Sequence, residues 1–344
     1  MRQRKSSIER IKVIAIIAIV ICHSIPGLRV EYHYATQDRW LWAISVLKQL
    51  GSVGNALFLV SSSWFLVDKS EVDIKKIKNI LVDNWLISML FLFIFLFFYS
   101  IDKMDILREM FPFCFATLWY ITCYVIYYSL HGIINGVLKQ LIRRPKRTIL
   151  MVLLFIAFQF AIGFKYYNDL IGFFLIHILT YCVKNGWNYA RKGVGFAKII
   201  TIVGFFFWIG GAYCFNAIGC RLIFVGQRYS MWNTFLNPFI IMMSYGLIII
   251  ADNETYYNRI INDLSRKSLY VYMITGNQLV RIYFDNDIYD RLVGGGFEKS
   301  YEYCFWFILG YAFLKSVFGF GFATLYLKIK ELLKVRVRGN TVWL

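Results

Sequence analysis

The sequence predicts an all-α integral membrane protein of about ten transmembrane helices with both termini cytoplasmic. Three observations predict it. Hydrophobic residues make up 59% of the 344 residues and charged residues only 17%, a balance too apolar for a soluble domain of this length. The apolar residues gather in long runs. The lysines and arginines behind the net charge of +18 recur in short clusters between those runs, so no basic domain for nucleic acid is formed.

A spanning helix needs about 20 mostly apolar residues, because its backbone amides must bond within the segment once water is absent. Ten segments approach or exceed that length: 11–25, 41–67, 80–99, 112–134, 148–164, 170–183, 199–215, 232–250, 269–284 and 303–329. The first follows the basic residues Arg10 and Lys12 and stops at Pro26-Gly27. It lacks a small-residue cleavage site and nine further spans follow it, which excludes a removable signal peptide. The second and tenth are long enough to tilt, and the sixth and ninth are short. The third carries Asp83, and the eighth carries Pro238, the one hint of a broken helix. Counted on alternate loops, 26 Lys and Arg residues fall inside and 9 outside, while Lys48, Arg281 and Lys315 lie within spans. Enrichment of cytoplasmic loops in these residues sets the orientation. No linker, low-complexity tract or internal repeat interrupts the pattern, so residues 1–344 read as one membrane-embedded domain.

The stretch SIERIKVIAIIAIVICHSIPG places His23 deep in the first span, 11 positions after Lys12. That step leaves the two residues on one helical face about 16 Å apart. A polar side chain inside a membrane is costly unless it has a partner or a cavity, so it marks a candidate functional site. The plain alternative is an interfacial histidine bonded to a neighbouring helix. The other histidines, His33, His131 and His177, show no metal-ligand spacing, and no metal is predicted. The seven cysteines are scattered and read as small apolar fillers.

Four stretches together carry a resemblance. They are the Lys12–His23 spacing, NALFLVSSSWFLVDK with Ser62, Ser63 and Trp64, the basic cluster KKIKNIL, and ATLWYITCYVIYY. In order and spacing they resemble membrane acyltransferase family 3, bacterial enzymes with eukaryotic relatives that move acyl groups from acyl-CoA onto sugars. Two departures stand out: the proline that often follows the basic cluster is missing, replaced by VDNW with Asp83 inside a span, and Thr275 stands where many members carry a second histidine. The latter disfavours a two-histidine mechanism.

The resemblance implies an enzyme with His23 as catalytic residue, either as general base toward a sugar hydroxyl or as a group acylated in passing. It implies acetyl-CoA or another acyl-CoA as donor substrate, with no permanently bound cofactor. Arg10, Lys12, Lys75, Lys76 and Lys78 would hold the donor's phosphates at the cytoplasmic face, although positive loops also serve topology. Trp119 and Tyr120 would wall the tunnel. Arg281 would meet the incoming sugar, or pair with Asp285 four residues on. Ser62 and Ser63 read as small residues at a close helix contact. Lys48 and Lys315 read as snorkelling cations. The expected acceptor is a surface glycan (capsule, O-antigen or exopolysaccharide) or its lipid-linked precursor, at the bacterial cytoplasmic membrane. The rival readings are a glycan polymerase, a flippase and a transporter without acyl transfer.

Overall fold

The computed structural model describes residues 5–25, 39–141, 169–186, 193–219, 234–293 and 300–340, and all their regular structure is helical. The elements are α1 (Ser6–His23), α2 (Arg39–Leu66), α3 (Ile74–Phe98), α4 (Lys103–Met110), α5 (Trp119–Leu141), α6 (Asp169–Tyr181), α7 (Val194–Gly219), α8 (Pro238–Asn253), α9 (Arg259–Thr275), α10 (Asn286–Leu292) and α11 (Tyr301–Asn340). A π-helical turn, Cys182–Gly186, extends α6, and another, Val280–Asp285, precedes α10. The segment 148–164 lies outside the described residues.

Five helices, α2, α3, α5, α7 and α11, are long and apolar enough to cross a membrane, and α8 is apolar but shorter. Their outward faces are greasy: Phe93, Phe97 and Phe98 on α3, Phe206 and Phe207 on α7, and Phe313 and Phe318 on α11 are all exposed. Apolar belts of this extent belong against lipid, which makes the chain a membrane protein.

Helix α1 sits inside the bundle, packed on α2, α9, α11 and α8. The α1–α2 contact is close because Gly54 has no side chain; a Cβ there would stand 2.5 Å from the Ala15 carbonyl oxygen. Gly246 of α8 does the same for α7, where a Cβ would lie 2.7 Å from the Ala197 oxygen. Small residues at such crossings let backbones approach where no hydrophobic effect drives helices together. The pairings fix relative directions. Ser6 meets Asn258 and Asn262 while the His23 ring meets Tyr272, so α1 and α9 run parallel. Helix α11 runs against them, with Lys315 on Asp285 at one end and Lys330 on Asp83 toward the other.

Three expectations are corrected. The fourth span begins at Trp119, not at residue 112, because Pro112 and a left-handed Ala116 (φ 48°) hold the chain in turns before α5. The ninth span is broken: α9 starts at Arg259, capped by Asn258 on the Ile261 amide (3.1 Å), and stops at Thr275. Pro238, conversely, breaks nothing; it occupies the first turn of α8 behind an Asn237 cap, where a missing N–H costs no bond. The connection between α3 and α5 also holds an unforeseen helix, α4, started by the Asp102 side chain on the Met104 amide (2.9 Å).

Two carboxylates inside the bundle, Asp285 and Asp83, are paired with lysines. Lys315 is buried against Asp285 at 2.5 Å, and the Tyr311 hydroxyl donates to the same carboxylate at 2.6 Å. Lys315 therefore does not snorkel, and Asp285 takes Lys315 rather than Arg281. Asp83 accepts from Tyr270 (2.9 Å), Tyr326 (2.7 Å) and Lys330, tying α3 to α9 and α11. That cross-link explains a carboxylate in the third span.

Candidate active site

The site forms where α1 ends and α9 breaks. Gly276 closes α9 with its amide on the Tyr272 carbonyl (2.9 Å). Asn277 restarts the chain, its Oδ1 accepting from the amides of Leu279 (3.0 Å) and Val280 (3.3 Å). An asparagine cap suits a restart inside a bundle because it satisfies amides that the broken ladder leaves open. The glycine is required sterically. A Cβ at Gly276 would stand 2.8 Å from the Tyr272 carbonyl oxygen and 3.3 Å from both His23 Cε1 and a methyl of Leu118.

His23 thus faces the break, with Tyr272 beside it at a ring separation of 5.9 Å. It is half-buried, and its Nδ1 is buried with no hydrogen-bond partner among the described residues. The other described histidines are occupied differently. His177 is fully buried and bonded on both nitrogens, to the Tyr127 hydroxyl (2.7 Å) and to Asn135 Oδ1 (2.8 Å). Tyr127 also shares a hydrogen bond with Ser63 (2.9 Å), so Ser63 and His177 belong to one closed network. His131 turns its Nδ1 to the Tyr128 carbonyl (2.6 Å). His177, bonded on both nitrogens, has none left for a substrate; His131 keeps an unpartnered Nε2 but is fully buried, whereas His23 is part-exposed at the helix break.

Around His23 stand cations. Arg281, on the π-helical turn, is exposed, and its charge and that of Lys315 act on His23. Lys48 and Arg281 both act on the neighbouring Cys22. Arg281 therefore reaches the site from a segment distant in sequence, independently of Asp285.

Tyr120 is buried, and its hydroxyl is unpartnered. Its ring packs on Tyr272 (5.7 Å), Phe173 (5.0 Å) and Phe58 (6.1 Å). Trp119 stacks on Phe235 at 6.1 Å. Tyr124 continues this face one turn on, nearly parallel to Tyr120, and Tyr128 stacks on Tyr124 in turn. Residues four apart share a helix face, so these three tyrosines form a ladder about 12 Å long.

The ladder ends at the basic cluster. Lys76 Nζ donates to the Tyr124 hydroxyl (3.1 Å) and lies 4.3 Å over the Tyr128 ring. Helix α3 begins at Ile74, so the cluster is the first turn of a helix rather than a loop before it. Lys75 and Lys78 on that turn are exposed and only Lys76 turns inward. Lys12 pairs with Glu9 (3.3 Å), over the Phe65 ring, and Glu9 also accepts from Ser265. Arg10 pairs with Glu254 at an exposed position (3.1 Å). The five basic residues are therefore not one cradle: Lys12 and Lys76 face the bundle, and the other three face outward.

Sequence reasoning missed Tyr124, Tyr272, Asn277 and Glu109. The four-residue step from Tyr120 to Tyr124 and the Gly-Asn pair inside an apolar run were the available signals. Glu109 gave none, since it stands in a short connection that reads as solvated. In the fold it is fully buried, its Oε2 accepting from Asn277 Nδ2 (2.9 Å). Burial pushes its carboxyl above the ordinary range, against the Asn277 hydrogen bond and the nearby Ser88 hydroxyl and Gln278 amide.

No curated protein and no solved structure matches the chain. The family model described as an acyltransferase domain matches residues 5–284, from the start of α1 through the broken ninth span. With most of its length matched, and His23, the tyrosine ladder and Arg281 all inside the match, the chain is an acyltransferase and belongs to acyltransferase family 3.

Proposed function

We propose that this membrane acyltransferase takes an acyl group, most simply acetyl, from acyl-CoA and transfers it to a hydroxyl of a surface polysaccharide or its lipid-linked precursor. The observation that carries the reading is His23: a half-buried imidazole with an unpaired nitrogen at a helix break. It stands at one end of a tyrosine ladder whose other end is a lysine.

In this reading the ten-helix plan holds, both termini are cytoplasmic, and the enzyme sits in a bacterial cytoplasmic membrane. The donor's phosphates meet Lys76 and Lys12, with Arg10, Lys75 and Lys78 adding charge at the mouth. The pantetheine arm runs along Tyr128, Tyr124 and Tyr120, and its thioester stops at His23. The acceptor oxygen attacks the acyl carbon while His23 takes the hydroxyl proton. Arg281 and Lys48 offset the negative charge that grows on the acyl oxygen. The carbon–sulfur bond then breaks, and CoA leaves as its thiol with the proton that His23 held.

His23→Ala is expected to lower transfer from radiolabelled acetyl-CoA to isolated envelope polysaccharide by at least about 100-fold, the usual contribution of a general base, while membrane insertion persists. A variant that still transfers acetyl at the parental rate sinks the assignment. Lys76→Ala should raise the half-saturating acetyl-CoA concentration more than that of the acceptor. Equal rises for both would make the lysine structural.

A further inference from the structure

Beyond His23, the unpaired polar atoms of the bundle single out a second place. Helix α4 is held to α3 by the Trp85 indole donating to the Met110 carbonyl (3.2 Å), which presses Glu109 into the bundle. Glu109 is 0% exposed; one carboxyl oxygen takes the Asn277 amide, and the other, Oε1, has no hydrogen-bond partner among the described residues. Ser88 of α3 lies beside this carboxyl. One turn away on the same face of α3 is Asn84, 2% exposed, whose Oδ1 is likewise buried and unpartnered. Its neighbour Asp105 differs, being satisfied by Gln278 (2.9 Å), Arg108 (3.1 Å) and Tyr283 (3.2 Å).

Both orphan atoms are acceptors, and a buried acceptor left unmet is unfavourable. What completes them must bring hydrogen-bond donors. Asn277, which grips Glu109, follows Gly276, which touches His23, so the place adjoins the reacting centre. It stands where the end of α4 meets the middle of α3 and the α9 break.

We propose that Glu109 and Asn84, together with the Gly276–Asn277 break, form the subsite for a polyhydroxylated acceptor, in which Glu109 Oε1 receives a hydrogen bond from one of its hydroxyls. This rests on the reading that the enzyme acylates a sugar hydroxyl. The acceptor then approaches His23 from the side of α4, with its reacting hydroxyl held between Glu109 and the imidazole. Glu109 binds and orients substrate, while His23 carries the proton.

The test uses the full chain, radiolabelled acetyl-CoA, and polysaccharide isolated from cells lacking the protein. Glu109→Gln keeps an oxygen for Asn277 but turns the free acceptor into a donor, so the fold survives while the hydroxyl loses its partner. The expected result is a rise of at least tenfold in half-saturating polysaccharide, with acetyl-CoA binding within twofold of the parent. Asn84→Leu should raise the same quantity, and both variants should keep the parental melting temperature to within a few degrees. Parental acceptor saturation in both variants overturns the subsite and would mean that the orphan atoms hold only water. Loss of acetyl-CoA binding or of the folded state in both variants overturns it too, in favour of a structural role. If the parent itself transfers no acetyl to the polysaccharide yet binds acetyl-CoA, the proposed acceptor class fails instead. Binding of unlabelled polysaccharide to the parent and to Glu109→Gln then decides the subsite alone: weaker binding to the variant supports it, and equal binding overturns it.

Discussion

His23 and His177 are both imidazoles inside a helical membrane bundle, and their bonding separates them. His177 joins Tyr127 and Asn135, and Asn135 in turn donates to the carbonyls of Leu66 (2.9 Å) and Lys69 (2.7 Å), so the ring fastens the end of α2 to α5 and α6. Replacing it strands Asn135 Oδ1 without touching His23. His177→Phe is therefore expected to lower stability by about 1–3 kcal/mol, seen as a lower melting temperature in detergent, with transfer per folded molecule retained. His23→Ala should do the reverse. At this scale the sequence showed the residue types but not their partners: a hydrogen-bond network joining positions 63, 127, 135 and 177 has no local signature.

Helix elements were legible where periodicity and length decide, and less so where a chain must break. Helices α2, α3, α7 and α11 follow from their apolar runs alone. The break after Thr275 is met by His23, Leu118 and Glu109 from three other segments, partners that no local pattern in the sequence announces. Glycine roles divide the same way. Gly54→Leu should separate α1 from α2 and cost at least about 1–3 kcal/mol, because its first carbon already meets the Ala15 carbonyl. At Gly136 in α5 a Cβ meets nothing within 4 Å, so Gly136→Ala should be neutral or stabilising by up to about 1 kcal/mol through helix propensity. Comparing the two melting temperatures checks both. Gly276→Ala is expected to lower transfer more than stability, since the added methyl presses on His23. A parental rate in that variant would show that the ring is not confined by the break.

Among the described residues, two charged cross-links tie α11 to the rest, Lys315–Asp285 beside the break and Lys330–Asp83 toward the opposite end. A buried pair contributes little net stability when intact, but removing one partner leaves an uncompensated charge. Asp285→Ala should cost about 3–5 kcal/mol, and the double change Asp285→Leu with Lys315→Leu should recover most of it. Thermal unfolding of the purified protein reads both. By itself the sequence determined the membrane-embedded helical class, the family resemblance and the candidacy of His23, because hydropathy, charge alternation and short motifs are properties of neighbouring residues. Only the tertiary structure decided that Lys76 rather than Lys75 or Lys78 turns inward, that Asp285 belongs to Lys315, and that Glu109 and Asn277 stand next to the His23 site. Those outcomes depend on which side chains far apart in the chain compete for the same buried space and the same hydrogen bonds, and that competition exists only once the helices have packed.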